Sequence, residues 1–207
     1  LLEPETFARR FYARPKVDRR TKDGKAAAAA IEVQAAGRIM FPAEWLHGMD
    51  CIADNIRSHA KAHELLAVGE AEVALAWVDA DTGIKCKVKI DWWHDPRQIV
   101  DVKSAIDVTS NGFSRACARL HYPLSAAMYC EAVEQATGDE PDWAFMACEK
   151  ERPHTVAVYR ATDAFLRRGR ADFRRVMRRL AECRARDAFP MMQGEGEWEP
   201  IDLPTWY

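Results

Sequence analysis

Three consecutive segments of alternating apolar and polar residues include four charged side chains that are candidates for a reactive site: Glu72, Asp91, Asp101 and Lys103. Alternation with a period of two residues is typical of β-strands, and the sequence DADTG predicts a turn between the first two segments. A second turn at HDPR would place Asp91 within about one residue of Asp101 on the neighbouring strand. Because the first turn brings Glu72 back toward Asp91, we expect three carboxylates on one strip of sheet.

Like charges that face each other directly across a sheet destabilise it by roughly 0.2–1 kcal/mol for each pair. A divalent cation would remove this cost. Carboxylate oxygens suit Mg²⁺ or Mn²⁺, which bind through one or two carboxylates and retain water molecules for chemistry on a phosphate. Lys103 projects from the same face about 7 Å beyond Asp101. We therefore expect its ammonium group to hold and polarise a metal-bound water.

These charged residues also have a familiar arrangement. A lone Asp-x-Lys motif usually marks a solvated strand edge, but here Asp101-x-Lys103 follows Asp91 and the upstream Glu72. This set resembles the core of the PD-(D/E)XK nucleases, although Ile90 occupies the position where many members of that superfamily carry proline. The resemblance implies an α/β fold in which helices flank a mixed sheet.

Further segments resemble one branch of that superfamily, the RecE-type exonuclease VIII nuclease domain of prophage recombination modules. They are the opening LLEP with Phe7, the basic segment DRRTKDGK, and Leu203-Pro204-x-Trp206 at the end of the chain. The resemblance implies 5′ to 3′ digestion of linear double-stranded DNA, which leaves a 3′ single strand for an annealing protein of the RecT type. It also implies a homo-oligomeric ring, commonly a tetramer, that threads the duplex.

The resemblance assigns roles to residues of the predicted meander. Asp91 and Asp101 are expected to hold one Mg²⁺, for which Mn²⁺ would substitute, together with the backbone carbonyl of Val102. Lys103 would orient the attacking water, and Glu72 would contact the metal directly or through a water molecule. RecE-type domains also carry a histidine a few residues before LEP. Because the chain begins at Leu1 rather than methionine, we expect further sequence upstream.

A helix after the meander adds two candidates, Ser125 and Tyr129. They lie four residues apart and therefore on one helix face, where packing and capping are their ordinary roles. Related nucleases carry Gln-x-x-x-Tyr at this place, lining the active site, and Tyr122 matches the tyrosine of their Tyr-x-x-Gln. We expect Tyr129 to line the site and Ser125 to reach less far than the glutamine that it replaces.

DNA contacts are expected at basic segments. Arg19, Arg20 and Lys25 form a basic loop that either is a solvated turn or contacts phosphates. Nine arginines between Arg167 and Arg186 occupy the polar surface of a predicted long helix. That surface is either a solvated face or a basic wall near DNA.

Bulk composition limits the alternatives. With 207 residues, of which 48% are hydrophobic, the chain can bury one core. A net charge of −2 means that any DNA-binding surface is local. Six cysteines without a C-x-x-C pair argue against a locally assembled zinc or iron-sulfur site and fit reduced thiols in the cytoplasm. No apolar run is long enough for a membrane span.

We expect a single domain over residues 1–207, with N-terminal loop and helices at 1–68, the catalytic sheet at 69–160 and a basic helix and tail at 161–207. A helix is predicted from 43 to 68 with Pro42 in its first turn. After a turn at Asn111-Gly112, helices are predicted at 113–120 and from Pro123 to Gly138. Strands at 143–148 and 155–159 would complete a sheet of about five strands, and Thr162 would cap the last helix.

Two alternatives to an exonuclease remain open. The first is a nuclease-like fold kept as a DNA-binding or assembly module without hydrolysis. Three departures from the family pattern motivate this alternative: Ile90 in place of proline, Ser125 in place of glutamine, and the histidine that this sequence lacks. The second is an endonuclease on the same core, which would cut a closed circular substrate that an exonuclease leaves intact.

Overall fold

A computed structural model describes residues 2–94, 97–190, 198 and 200–203. The helices and strands in chain order are α1 (Pro4–Arg10), β1 (Phe11–Arg14), α2 (Lys22–Ala35), β2 (Ile39–Pro42), α3 (Trp45–Ser58), α4 (Ala60–Leu66), β3 (Glu70–Val78), β4 (Lys85–His94), β5 (Gln98–Ala105), α5 (Ser110–Arg119), α6 (Tyr122–Thr137), β6 (Asp142–Glu149), β7 (Val156–Arg160) and α7 (Asp163–Arg186). The expected turn residues Asp95 and Pro96, and the expected motif residues Pro204 and Trp206, lie outside the described part.

The main sheet has five strands in the order β3-β4-β5-β6-β7. Strands β5 and β6 are parallel, and the other three neighbouring pairs are antiparallel. Parallel neighbours need a crossover connection, which α5 and α6 supply here. The predicted α/β class, the three-stranded meander and the two later strands are therefore confirmed.

Helices cover this sheet on both faces, which explains why β5 is apolar on both sides. Ile99 packs with Phe145 and with Cys130 of α6, in the larger cluster. Val100 packs with Met146 and with Ile56 of α3, in a second cluster. Both β5 residues are fully buried. A strand buried on both faces is typical of the parallel part of a sheet.

The N-terminal part differs from the prediction. The helix expected over 43–68 is two helices, because His59 has an extended backbone with ψ of 107° between α3 and α4. Its ring accepts a hydrogen bond from the Ala62 N–H at 3.2 Å and so caps α4. Pro42 ends strand β2 instead of starting a helix, and β2 pairs in parallel with β1. Four-residue strands of this kind give too short a pattern to be predicted.

Helix α5 begins earlier than expected. The sequence Asn111-Gly112 predicted a turn, but both residues lie in the first turn of α5. The hydroxyl of Thr109 accepts a hydrogen bond from the Gly112 N–H at 3.2 Å and caps the helix. The helix from Pro123 to Gly138 and the cap by Thr162 are confirmed.

Arg174 attaches α7 to the rest of the domain. Its guanidinium donates to Oδ2 of Asp79 at 2.5 Å and to Glu131 of α6. Asp79, in the turn between β3 and β4, also accepts hydrogen bonds from Thr82. Burial acts to raise the pKa of Asp79, but the bonds from Thr82 and Arg174 outweigh it and lower that pKa. The β3–β4 turn, α6 and α7 are thus joined through the guanidinium of Arg174.

No helix within the described ranges combines the length and the apolar character needed to cross a bilayer.

Candidate active site

A gap in the main sheet separates β4 from β5 over part of their length. The two strands pair at Trp92 with Val100, Trp93 with Ile99 and His94 with Gln98, and the pairing then ends. Beyond this point β4 stays paired with β3, and β5 stays paired with β6 as far as Ala105. The first residues in the gap are Asp91 on β4 and Asp101 on β5.

The Asp91 carboxylate spans this gap. Its Oδ2 accepts a hydrogen bond from the backbone N–H of Val102 at 2.9 Å. In an extended strand the N–H and C=O of one residue point to the same side, so the Val102 carbonyl also faces the gap. The structure therefore brings Asp91, Asp101 and the Val102 carbonyl to one place, as expected from the sequence.

Asp101 is buried with an oxygen that lacks a normal hydrogen bond. The residue is 7% exposed, and Oδ2 accepts no hydrogen bond of ordinary geometry from the described residues. Its neighbour is Nζ of Lys103, 2.5 Å away. Burial raises the pKa of Asp101, and the Asp91 charge adds to this effect, whereas Lys103 opposes it. A carboxylate in this position gains from a nearby cation.

The donor set fits a hard divalent cation. It comprises the Asp101 carboxylate, which Lys103 compensates only in part, the second oxygen of Asp91 and the Val102 carbonyl, all of them oxygen ligands. Mg²⁺ binds through one or two carboxylates and retains several waters, so a third acidic side chain is not required. Among the described residues, no group of three or more His, Cys, Asp or Glu side chains could hold a metal.

Glu72 does not complete a cluster of three carboxylates, in contrast to the expectation. It lies opposite Asp91 in register, because its neighbours Ala71 and Val73 pair with Trp92 and Ile90. Its φ of +59°, however, is left-handed, and its carboxylate forms an ion pair with Lys89. The left-handed backbone of this residue breaks the strict alternation on which the prediction relied.

Tyr129 of α6 faces the two aspartates. Burial raises the pKa of Tyr129, and the charges of Asp101 and Asp91 raise it further. Ser125, one helical turn earlier, is half-buried, and its hydroxyl makes no hydrogen bond to any residue that the structure describes. Tyr129 is thus close enough to the two aspartates for their charges to affect it, and its role in the site, like that of Ser125, stays a prediction.

Two neighbours of the site were not predicted as site residues. The ring centroid of Tyr122 lies 5.2 Å from Nζ of Lys103, a cation–π contact that holds the lysine. The thiol of Cys117 on α5 lies near Asp101, and burial with that charge raises its pKa to about 11. Both contacts join segments far apart in sequence. Tyr122 could have been predicted as a site neighbour, because it matches the tyrosine of the Tyr-x-x-Gln motif in related nucleases. Nothing in the sequence pointed to Cys117.

Two of the three predicted DNA-binding residues of the N-terminal part form ion pairs within that part. Arg19 forms an ion pair with Glu32, and Arg20 with Asp18. Lys25 is exposed in the first turns of α2 rather than in a loop. Within the described ranges, no hydrogen bond or ion pair connects these three side chains to β4 or β5.

The arginines of α7 are divided between ion pairs and solvent. Five of the nine pair with carboxylates of the described chain: Arg168, Arg170, Arg174, Arg175 and Arg179. Exposed arginines fit either a solvated face or a basic wall near DNA, so both interpretations stay open, and the half-buried Arg174 anchors the helix to the domain.

Residues 1–199 match the family described as PDDEXK-like domain of unknown function, DUF3799. The chain belongs to this family. None of the curated proteins compared matches the PDDEXK-like domain in sequence.

The fold has a counterpart among solved structures. The crystal structure of a "putative exonuclease" from Eubacterium rectale superposes with a TM-score of 0.61 at 18% sequence identity, covering 86% of this chain and 72% of that one. The crystal structure of SSO0001 is more distant, with a TM-score of 0.34 at 11% identity over 72% of this chain and 64% of that one. The family and the first of these structures place the PDDEXK-like domain in the PD-(D/E)XK nuclease superfamily.

Proposed function

We propose that this PDDEXK-like domain is a metal-dependent exodeoxyribonuclease that digests linear double-stranded DNA from the 5′ end. The observation that carries the proposal is the buried Asp101 carboxylate in the β4–β5 gap, with Lys103 2.5 Å from an oxygen that lacks a normal hydrogen bond. Even with Lys103 beside it, burial raises the pKa of Asp101, so its ionised form costs folding free energy, and a chemical role accounts for its presence better than a structural one.

In this proposal, the residues of the gap have separate roles in phosphodiester hydrolysis. Asp91, Asp101 and the Val102 carbonyl would hold Mg²⁺, with Mn²⁺ as a substitute, and when bound the metal supplies positive charge and an acidic water. Lys103 orients that water and stabilises the charge that grows on the phosphorus oxygens. Tyr122 fixes the lysine through its ring, and Tyr129 closes the gap on the α6 side.

The wider biological role rests on the RecE-type resemblance. It supports the production of 3′ single-stranded tails for recombination by single-strand annealing, with a protein of the RecT type as partner. It also supports a homo-oligomeric ring, of which a tetramer is the common form. The six cysteines are free thiols, which fits a reducing cytoplasm as the place of action.

The experiment uses linear duplex DNA that carries a label at one 5′ end, incubated with and without Mg²⁺ beside a covalently closed circle. We expect labelled mononucleotide from the linear DNA, in the presence of metal, and an intact circle. Cleavage of the circle would show an endonuclease instead. Binding of DNA without cleavage in Mg²⁺ or Mn²⁺ would show a non-catalytic module.

A further inference from the structure

A basic groove lies at the carboxyl ends of β5 and β6, immediately beyond the gap. Its volume is about 310 Å³. It is lined by residues that follow Lys103 on β5, by one face of α5 and by the segment after β6; they include Ser104, Ile106, Arg115, Arg119, Tyr122 and Lys150. Because β5 and β6 are parallel, their carboxyl ends meet at the same edge of the sheet, and the groove opens there.

The positive charges of this groove are only partly balanced by the protein. Arg115 and Arg119 lie four residues apart on the outer face of α5, and Lys150 follows β6. All three side chains are exposed, and none forms an ion pair with a residue that the structure describes. The α7 helix differs, since five of its nine arginines are paired.

One carboxylate, Asp107, also lines the groove. Its Oδ1 accepts a hydrogen bond from the Thr109 N–H at 2.8 Å. This bond at the start of α5 partly satisfies the negative charge of Asp107. The bonds from Thr109 lower the pKa of Asp107. The groove therefore contains three cationic side chains and one carboxylate, so its net charge is positive. A concave surface with a positive charge favours an anionic ligand.

The groove is continuous with the candidate active site. Tyr122 lines it and also contacts Lys103, with Nζ 5.2 Å from the ring centroid. On α5 the inward residue Cys117 lies near Asp101, whereas Arg115 and Arg119 face outward. Ser104 directly follows Lys103, so a strand whose phosphate lies at the gap would enter the groove within one or two nucleotides, at about 3.4 Å of rise for each.

The groove also offers apolar surface. Ile106 is 80% exposed and Leu120 is 49% exposed, and both line it. A positively charged groove that tracks the phosphate backbone is typical of surfaces that follow a nucleic-acid strand. On the basis of the proposed function, we propose that this groove binds the phosphates of the DNA strand next to the bond that is cut, through Arg115, Arg119 and Lys150.

The test measures how DNA affinity depends on salt. A short fluorescent duplex is titrated with Asp101→Asn protein, and with the same protein carrying Arg115→Ala and Arg119→Ala. Each phosphate contact contributes about 0.9 to the slope of log affinity against log salt. We expect the slope to fall by about 1.8 in the groove variant. A matched variant, Arg184→Ala with Arg186→Ala in the last turn of α7, removes the same charge and is expected to keep the slope.

An unchanged slope in the groove variant would overturn the groove proposal, as would an equal fall in both variants. The proposed function is tested separately by hydrolysis of bis(4-nitrophenyl) phosphate with Mn²⁺, since this small diester needs the gap and not the groove. Hydrolysis by the wild type with an unchanged slope would overturn the groove alone. No hydrolysis of the diester or of DNA would overturn the proposed function.

Two sources of phosphate are distinguished by the ends of the duplex. If the groove binds internal diesters, the fall in slope is the same for duplexes with 5′-hydroxyl and 5′-phosphate ends. If it binds the terminal monoester, the fall is confined to the 5′-phosphorylated duplex. Either result supports a phosphate site. If the slope falls with neither duplex, the proposal is overturned.

Discussion

Lys103 and Asp101 form an ion pair along a single strand, with Nζ 2.5 Å from Oδ2 of a residue that is 7% exposed. Side chains two residues apart on a strand project from the same face, so the pair follows directly from the Asp-x-Lys spacing. The lysine partly compensates the buried charge, whereas the Asp91 charge acts in the opposite direction and raises the pKa of Asp101. The arrangement is costly for the fold and useful for chemistry.

Asp101→Asn should abolish nuclease activity and stabilise the fold. Because burial raises the pKa of Asp101, its contribution to stability is present below the unfolded pKa of about 3.9 and is lost as pH rises through the folded value. At neutral pH in EDTA, the variant should therefore melt at a higher temperature than the wild type, and the difference should shrink as pH falls toward 4. A lower melting temperature at neutral pH would contradict the burial argument.

Lys103→Met should separate metal binding from chemistry. The proposed metal ligands are intact in this variant, so Mn²⁺ should still raise its melting temperature. Cleavage should fall by roughly 10²- to 10³-fold, the usual loss when one group that stabilises transition-state charge is removed. The measurement pairs thermal melts with a DNA cleavage assay. Cleavage at the wild-type rate would exclude the role given to the lysine.

Arg174→Met should destabilise the fold by roughly 3–5 kcal/mol, because it leaves the buried Asp79 carboxylate without its cation. Unfolding in urea measures the change. Arg168→Met is the matched control, since Arg168 pairs with Asp172 at the surface, where an ion pair contributes about 0–1 kcal/mol. Equal losses in the two variants would show that the buried network has no special importance.

Gly169→Ala should destabilise the contact of α7 with α6. A Cβ at this position would lie 1.9 Å from the Pro123 carbonyl oxygen, a backbone atom that cannot move without shifting α6. Overpacking of this kind costs typically about 1–3 kcal/mol. Gly48→Ala is the control, because its Cβ would meet the His154 ring at an ordinary 3.5 Å. In urea melts we expect a loss for Gly169→Ala and none for Gly48→Ala.

Alternation in β4 and β5, together with the turn expected between them, was enough to place Asp91 beside Asp101. It was not enough for Glu72, whose left-handed backbone removes it from the pattern. The break between α3 and α4 at His59 could not be predicted, because no glycine or proline marks it in the sequence.

Tertiary contacts were the least predictable features. Tyr122 contacts Lys103, and Cys117 approaches Asp101, only because α5 and α6 cross between two parallel strands. The groove at Arg115 and Arg119 depends on the same crossover. Residue spacing within one element predicts neighbours along that element, whereas these pairs are set by how α5 and α6 pack on the sheet.

Cleavage of 5′-labelled linear duplex DNA by the wild type and by Asp101→Asn, each in Mg²⁺ and in EDTA, tests the central claim most directly. The account predicts release of labelled nucleotide by the wild type in Mg²⁺, and no release in EDTA or by the variant. Release by Asp101→Asn at the wild-type rate, or by the wild type in EDTA, would contradict a metal-dependent active site in the β4–β5 gap.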